Sequence, residues 1–271
     1  MNSKDYDLLL MFKIVLVMTT SNKLNEFNTI LKDEMFISSY QVDKMGYLSI
    51  PAIGSILEEL AWRHADSGDF GFDALNNQNM LWVLSRLSVK ILQRPQWRDQ
   101  IIIKTWSCGP DGIFARREFQ FEDRQGNVLL TAVSHWLILD GDTHRMIRLN
   151  KMMDLFPAHA AIEHDFSPIK IETVHADYSG EYEQVRHSDI DLNKHMNNTK
   201  YMQRLIDSYD EEVIDKYRIS SFEVNYLNEA IFGDRLKVVR QDPENNEQRT
   251  TIIRESDQKE MARIQFNWEE R

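Results

Sequence analysis

The sequence predicts an α+β fold made of two copies of one unit, each an antiparallel sheet wrapped around a long helix. Residues 87–101 and 222–236 align without a gap, and this alignment pairs Val89 with Val224. In both copies a helical pattern precedes the aligned stretch and strand patterns follow it. With 271 residues, 42% of them hydrophobic and 28% charged, the chain can bury a substantial core.

The first copy begins with a helix whose first turn carries Pro51, a position where proline is favoured. Its predicted buried face consists of Ile53, Ile56, Leu57, Leu60 and Ala61. A long strand over residues 87–101 follows, and then come three shorter ones. These are predicted over residues 101–106, 115–121 and 128–139, with turn signals at 123–126 and 140–142.

The second copy repeats this order. Asn197 or Asn198 is a suitable N-cap for its helix. The apolar face of that helix is predicted to comprise Tyr201, Leu205, Ile206, Tyr209 and Val213. Strands are predicted over residues 222–236, 236–240, 249–253 and 261–268. The chain is thereby divided into an N-terminal extension (1–33), a first unit (34–155), a linker (156–180) and a second unit (181–271).

A polar segment directly before the second helix concentrates carboxylates, amides and imidazoles between residues 185 and 201. If it is extended, one face presents Asp189, Asp191, Asn193 and His195. Ile190 and Leu192 then anchor the opposite face. The N–H groups at the start of the following helix favour negative charge. This combination predicts a site that polarises a carbonyl group and activates water.

Three other interpretations of this segment are less favoured. The Asp189, Asp191 and Asn193 spacing resembles a calcium loop, but Lys194 and Lys200 occupy the positions of its glycine and glutamate. A zinc site would need more imidazole or thiolate ligands nearby. A turn and helix cap without chemistry remains an alternative for the segment taken alone. We therefore predict no metal and no cofactor.

Composition excludes some classes of protein. The net charge of −11 argues against a nucleic-acid binder. Cys108 is the single cysteine, which excludes an intramolecular disulfide and fits a reducing compartment. The apolar run at residues 8–18 contains Lys13 and is too short to cross a bilayer. We expect a cytoplasmic protein without a signal peptide or stable membrane insertion.

The two copies differ in their polar residues. Arg94 of the first copy aligns with Glu229 of the second, and residues 42–48 of the first copy have no constellation that matches Asp191, Asn193 and His195. One active site per chain is therefore predicted, in the second unit, with the first unit serving as a binding chamber. Residues 86–151 carry 11 Lys and Arg against 7 Asp and Glu, which suggests a basic face for an acidic partner.

Taken together, residues 36–268 resemble the acyl-acyl carrier protein thioesterases, a family with a tandem double hotdog fold. The matching landmarks are Tyr40-Gln-Val-Asp, Trp82-Val-Leu-Ser-Arg, Thr105-Trp106, Ala132-Val-Ser-His-Trp, Arg145, Arg148, Asp189-Ile-Asp-Leu-Asn-Lys-His-Met-Asn-Asn and Asn228-Glu229. The resemblance places Asp191, Asn193, His195 and Glu229 on the catalytic positions of the family. It implies hydrolysis of a fatty acyl thioester carried by an acyl carrier protein.

The resemblance also implies how the substrate binds. The acyl chain is expected near Ile53, Leu57 and Trp82. The acidic carrier is expected to contact basic residues, of which the candidates are Lys90, Arg94, Arg98, Arg116, Arg117, Arg145 and Arg148. Some members of the family carry a cysteine after the catalytic glutamate, where this chain has Ala230, so a thiol nucleophile is not available at that position.

Several questions remain open at the level of sequence. In the working hypothesis Asn193 and helix N–H groups hold the carbonyl, His195 and Glu229 activate water, and Asp191 orients the group. The alternative nucleophile is Asp191 itself. Other functions that fit the fold are a coenzyme A thioesterase, a 3-hydroxyacyl thioester dehydratase and a non-catalytic acyl-binding module. Either a monomer or a homodimer is expected, because the tandem copies already pair with each other.

Overall fold

The computed structural model describes residues 29–68, 70–149, 164–174 and 177–271. The apolar run at 8–18 and most of the predicted N-terminal extension lie outside these residues. The first strand begins at Ile30 and pairs with a later strand from its first residue. The first unit therefore begins before residue 34, the boundary predicted from the sequence.

The described part of the first unit contains six strands and two helices. Their bounds are β1 (Ile30–Phe36), α1 (Ile50–Ser67), α2 (Phe72–Asn76), β2 (Met80–Ile91), β3 (Gln100–Asp111), β4 (Phe114–Glu122), β5 (Val128–Asp140) and β6 (Met146–Ile147). A short 3-10 turn, Ser39–Gln41, precedes α1. The three shorter strands predicted for this unit fall within β3, β4 and β5.

The described part of the second unit repeats the plan with shorter elements. Its bounds are β7 (Tyr178–Ser179), β8 (Glu183–Gln184), α3 (Asn198–Asp207), α4 (Glu211–Lys216), β9 (Tyr217–Tyr226), β10 (Arg235–Arg240), β11 (Glu247–Arg254) and β12 (Glu260–Glu270). A 3-10 turn, His187–Asp189, precedes α3. The three shorter strands predicted here fall within β10, β11 and β12, so the predicted α+β architecture is confirmed.

The twelve strands of the described residues form one antiparallel sheet, in which ten follow the order β1-β3-β4-β5-β2-β9-β12-β11-β10-β7. Of the other two, β6 pairs with β5 and β8 pairs with β10. The two units join where β2 pairs with β9, and Ser88 lies opposite Glu223. Ser88 and Glu223 are also matched with each other in the sequence alignment that matches Val89 with Val224. An approximate two-fold axis therefore passes between Ser88 and Glu223 and relates the two units.

Helix α1 forms because its sequence supplies both a start and a buried face. The Ser49 hydroxyl accepts a hydrogen bond from the Ala52 N–H at 3.3 Å, and Pro51 lies in the first turn. Ile53, Leu57 and Leu60 are at most 1% exposed. Burying each of these side chains stabilises the fold by roughly 1.5–3 kcal/mol, which holds α1 against the concave side of the sheet.

The predicted long strands are each interrupted. Strand β2 ends at Ile91, and a loop leads to β3 at Gln100. The Pro95 carbonyl accepts from the Leu48 N–H at 2.8 Å, and the Asp99 carboxylate accepts from the Gln96 N–H at 2.8 Å. These bonds turn the chain towards the segment before α1. The second unit has the matching interruption between β9 and β10.

The second predicted helix is also two elements. Helix α3 ends at Asp207, and Ser208 donates its hydroxyl to the Leu205 carbonyl at 2.7 Å. Tyr209 lies in the following turn, and Val213 belongs to α4. The apolar residues that predicted a single helix continue past residue 207 because α4, a separate helix, also has apolar residues. Within the described residues, no helix is both long and apolar enough to cross a membrane.

Candidate active site

The polar segment before α3 is a tight turn and not a strand. Ile190 and Met196 form a β-bridge across it, and the Asp191 N–H donates to the His195 carbonyl at 2.9 Å. Lys194 adopts a positive φ of 65°. The Asp191 carboxylate accepts from the Asn193 N–H at 2.8 Å, which closes the turn.

The predicted alternation of two faces is therefore wrong. Leu192, expected to anchor the segment, is 99% exposed at the tip of the turn. Strand periodicity does not apply to a turn that hydrogen-bonds to itself. The two bridge residues, Ile190 and Met196, attach this turn to the apolar core.

The turn brings His195 next to Glu229, which follows β9. His195 Nε2 lies 3.4 Å from Glu229 Oε2, and the side chains are 33% and 48% exposed. The backbone fixes this pairing, because the Met196 N–H donates to the Ala230 carbonyl at 2.8 Å. The Arg254 guanidinium in turn donates to the Glu229 carbonyl at 3.2 Å. The acid and the imidazole are thus adjacent and remain accessible to a substrate.

A cavity of about 1640 Å³ extends from this turn into the first unit. Asp191, Asn193, His195 and Glu229, predicted from the sequence, all line its mouth. Trp82, Arg116 and Arg117 line the part in the first unit, as do Trp62 and Phe70. The mixture of apolar walls and a polar mouth can hold an acyl chain with its reactive end near His195.

Two predicted acyl-chain contacts lie elsewhere. Ile53 and Leu57 are 0% and 1% exposed and belong to the central core. They face the sheet and do not line the cavity. Helix α1 instead presents Glu58, Ala61 and other residues of its adjacent face to the cavity.

Residues 42–48 of the first unit form the counterpart of the active-site turn, and Arg94 contacts this turn through Asp43. Asp43 accepts from the Met45 N–H at 2.9 Å, as Asp191 does from Asn193, and Gly46 has a positive φ of 83°. Arg94 pairs with Asp43 at 3.0 Å and occupies the position of Glu229. The backbone turn and its aspartate are present in both units, but the first unit has Met45, Tyr47 and Arg94 where the second has Asn193, His195 and Glu229.

The basic residues proposed for carrier contacts differ in accessibility. Arg117 is 7% exposed and contacts His64 Nδ1 at 2.8 Å and Thr105 Oγ1 at 3.2 Å. Burial lowers the pKa of Arg117 to about 10. Arg116 is enclosed with Glu118 at 2.6 Å. Burial makes Arg117 unsuitable for docking another protein, and the side chains exposed to solvent are those of Lys90, Arg98, Arg145 and Arg148. Lys90 pairs with Asp165 at 3.2 Å.

The thiol of Cys108 is not a reactive nucleophile in this fold. Burial, together with the negative charge of Glu118, raises the pKa of the Cys108 thiol to about 12. The thiol is therefore protonated at neutral pH and is a weak nucleophile. Among the residues that the structure describes, no three His, Cys, Asp or Glu side chains are grouped to hold a metal ion.

Sequence reasoning missed Glu58, whose carboxyl group is buried in the cavity wall. Burial raises the pKa of Glu58 to about 7, and a hydrogen bond with Asn198 opposes this shift. The signal available in the sequence was an acidic residue directly after the core residue Leu57 on an apolar helix. Nothing in the sequence indicates that α1 crosses α3 at the turn of the second unit.

Comparison with known proteins decides the family. Residues 28–154 match the acyl-ACP thioesterase N-terminal domain, and residues 171–270 match the C-terminal domain. The chain belongs to the acyl-ACP thioesterase family. Among curated relatives of this chain, oleoyl-acyl carrier protein thioesterase 2 of Arabidopsis thaliana is 27% identical over 73% of the chain and 59% of its own length. The dodecanoyl-[acyl-carrier-protein] hydrolase of Cinnamomum camphora is 27% identical over 74% and 56%.

This family member thus spans less than two thirds of those relatives, which are both described as chloroplastic. Solved structures match more completely. An acyl-ACP thioesterase from Bacteroides thetaiotaomicron superposes with a TM-score of 0.78, at 25% identity, over 92% of this chain and 99% of its own. The 12:0-ACP thioesterase of Umbellularia californica, at 22% identity and TM-score 0.78 over 90% and 98%, shares the fold. The predicted double hotdog fold is confirmed.

Proposed function

We propose that this protein hydrolyses the thioester of fatty acyl-acyl carrier protein and releases the free fatty acid, which ends chain elongation. The observation that carries the proposal is the His195–Glu229 pair, 3.4 Å apart, at the mouth of a cavity large enough for an acyl chain. Membership of the acyl-ACP thioesterase family supports the same reaction.

In the proposed mechanism, a water molecule attacks the thioester carbonyl carbon. The His195–Glu229 pair accepts a proton from this water as the new C–O bond forms. The C–S bond then breaks and its electrons go to sulfur. The His195–Glu229 pair returns the proton to the thiolate that leaves. Asn193 and the N–H groups at the start of α3 stabilise the oxyanion. Asp191 maintains the turn through its bond to the Asn193 N–H, so water is favoured over Asp191 as the nucleophile.

The proposed partner is an acyl carrier protein bound at the mouth of the cavity. The exposed Arg98, Arg145 and Arg148 come from the basic part of the chain and can attract an acidic carrier. Lys194, exposed beside His195, adds positive charge at the mouth itself.

We further propose a cytoplasmic location and a monomer or homodimer. The single cysteine supports a reducing compartment, and the paired units leave no requirement for a partner subunit. Cell fractionation and sedimentation of the purified protein test these two points. Recovery in an organelle or as a larger assembly would contradict them.

Free-thiol release from a chain-length series of acyl thioesters tests the main proposal. Each acyl group is presented on acyl carrier protein and on coenzyme A, with wild type beside Glu229→Gln. Hydrolysis selective for the carrier and lost in the variant is the expected result. Equal hydrolysis on coenzyme A would indicate a coenzyme A thioesterase. Binding without thiol release would indicate a dehydratase or an acyl-binding module.

A further inference from the structure

Glu58 is an acidic side chain of the first unit that lies in the wall of the active-site cavity. Its Oε1 atom is buried and has no hydrogen-bond partner among the described residues. A buried polar atom without a partner costs roughly 1–3 kcal/mol. Because Glu58 lines the cavity, a ligand bound there can supply the missing hydrogen bond to its carboxyl group.

The groups around Glu58 belong to the reaction centre of the second unit. Asn198, the first residue of α3, is close enough to the Glu58 side chain to lower its pKa, and Asp191 of the catalytic turn is close enough to repel a negative charge there. The Tyr226 hydroxyl donates to the Asn198 carbonyl at 3.4 Å. Glu58 therefore faces the reactive end of an acyl group and not the end of its chain.

The surroundings favour the neutral form of Glu58. No positively charged side chain within the described residues pairs with it, and burial is the main cause that raises its pKa to about 7. A neutral carboxyl group has an O–H to donate, whereas a carboxylate only accepts. Asp191 on the turn and Tyr226 on β9 are the titratable side chains that interact with Glu58. Glu59, Lys194, His195 and Glu229 are among the other titratable side chains that line the same cavity.

The approximate two-fold symmetry shows that the fold does not require an acid at this position. Ser49 and Asn197 are the caps of α1 and α3. Counted from these caps, Glu58 corresponds to Ile206, and its partner Asn198 corresponds to Ile50. Ile206 and Ile50 pack in the apolar core. The first unit thus supplies an acid, Glu58, to the active site of the second unit. The second unit has the apolar Ile206 at the equivalent position.

We propose that Glu58 is a further catalytic residue, whose carboxyl O–H donates a hydrogen bond to the thioester carbonyl oxygen as the tetrahedral intermediate forms. A hydrocarbon chain offers no acceptor, so the carbonyl oxygen is the acceptor at the end of the acyl group that Glu58 faces. The inference rests on the proposed thioester hydrolysis. It adds that both units contribute chemistry to one site.

The test measures kcat and KM for release of thiol from one acyl thioester by wild type, Glu58→Met and Glu58→Gln. Methionine has a similar size and no donor, and glutamine keeps a neutral donor. We expect kcat to fall about 100-fold in Glu58→Met, the typical effect of losing one oxyanion donor. In Glu58→Gln it should stay within about 10-fold of wild type.

The matched control is Glu212→Met, the same change at an exposed residue of α4, which should leave kcat unchanged. Thermal unfolding of each variant verifies that it is folded. A kcat in Glu58→Met within about threefold of wild type, or an effect on KM alone, would overturn the inference. An equal loss in Glu58→Gln would also overturn it, because the carboxylate charge would then be what matters. If wild type released no thiol, the proposed function itself would fail.

Discussion

Gly54 of α1 meets Met202 of α3, its own counterpart in the second unit. A Cβ atom built on Gly54 would lie 2.7 Å from Met202 Cε and 3.1 Å from Thr199 Cγ2. The two-fold axis that passes between Ser88 and Glu223 in the sheet therefore also passes between these helices. The missing side chain at Gly54 lets the two helices approach closely, and a Cβ there would displace the terminal methyl group of Met202.

Gly54→Val should destabilise the protein by about 1–3 kcal/mol, because the added methyl groups overpack the helix crossing. The free energy of unfolding from urea titration measures this. Combining it with Met202→Ala should cost less than the sum of the two single changes, since the shorter side chain makes room. Ser55→Val, on the exposed side of the same helix, is the control for helix propensity. Additive costs would show that Gly54 and Met202 do not constrain each other.

His195→Ala should lower kcat by roughly 10²–10⁴, the usual contribution of a general base. Because His195 is one-third exposed in a turn held by backbone bonds, the free energy of unfolding should change by less than about 1 kcal/mol. Thiol release and urea unfolding measure the two effects. His187→Ala, in the preceding 3-10 turn, is the matched control and should remain active. Full activity in folded His195→Ala would remove the imidazole from the mechanism.

Salt should raise KM for carrier-bound substrate more than KM for a small acyl thioester, since screening weakens attraction between an acidic carrier and a basic surface. Replacing Arg145 and Arg148 together by glutamine should have the same selective effect at low salt. Steady-state kinetics over a range of sodium chloride concentrations measure both. Lys259→Gln, an exposed lysine in the β11–β12 turn, serves as the control. Equal salt sensitivity for the two substrates would exclude electrostatic docking.

Ionisation of the buried Glu223 carboxyl group should lower the free energy of unfolding as pH rises. Burial raises its pKa to about 7, from an ordinary value of 4.5, although Ser88 and the Ile169 N–H, 2.6 Å from Oε1, oppose the shift. Below pH 4.5 the group is protonated in both states and has no penalty. Between pH 4.5 and about 7 the unfolded state ionises first, so stability is lost, by up to about 3 kcal/mol.

Urea unfolding of wild type and Glu223→Gln at pH 5 and pH 8.5 measures this difference. The variant should lose less stability between the two pH values, because glutamine does not ionise. Glu58 titrates in the same range but is present in both proteins, so its contribution cancels from the comparison. An identical pH dependence would show that Glu223 is ionised in the fold at little cost.

The sequence by itself determined the repeated unit, most of its strands, the starts of both central helices and the family. These follow from local periodicity, from caps such as Ser49 and from an alignment of the chain with itself. It also indicated the four polar residues at the cavity mouth, since they lie in one short segment and at one strand end. Local patterns carry this information because neighbouring residues share one backbone conformation.

Only the tertiary structure decided which side chains meet across the units. Leu192 is exposed because its segment turns, Ile53 and Leu57 face the sheet, and Arg117 is buried, although its sequence neighbourhood is basic. Glu58 reaches the catalytic turn because α1 crosses α3 at Gly54, a contact between residues far apart in the chain. The direction of a side chain at such a crossing depends on the packing of both units, which no local pattern specifies.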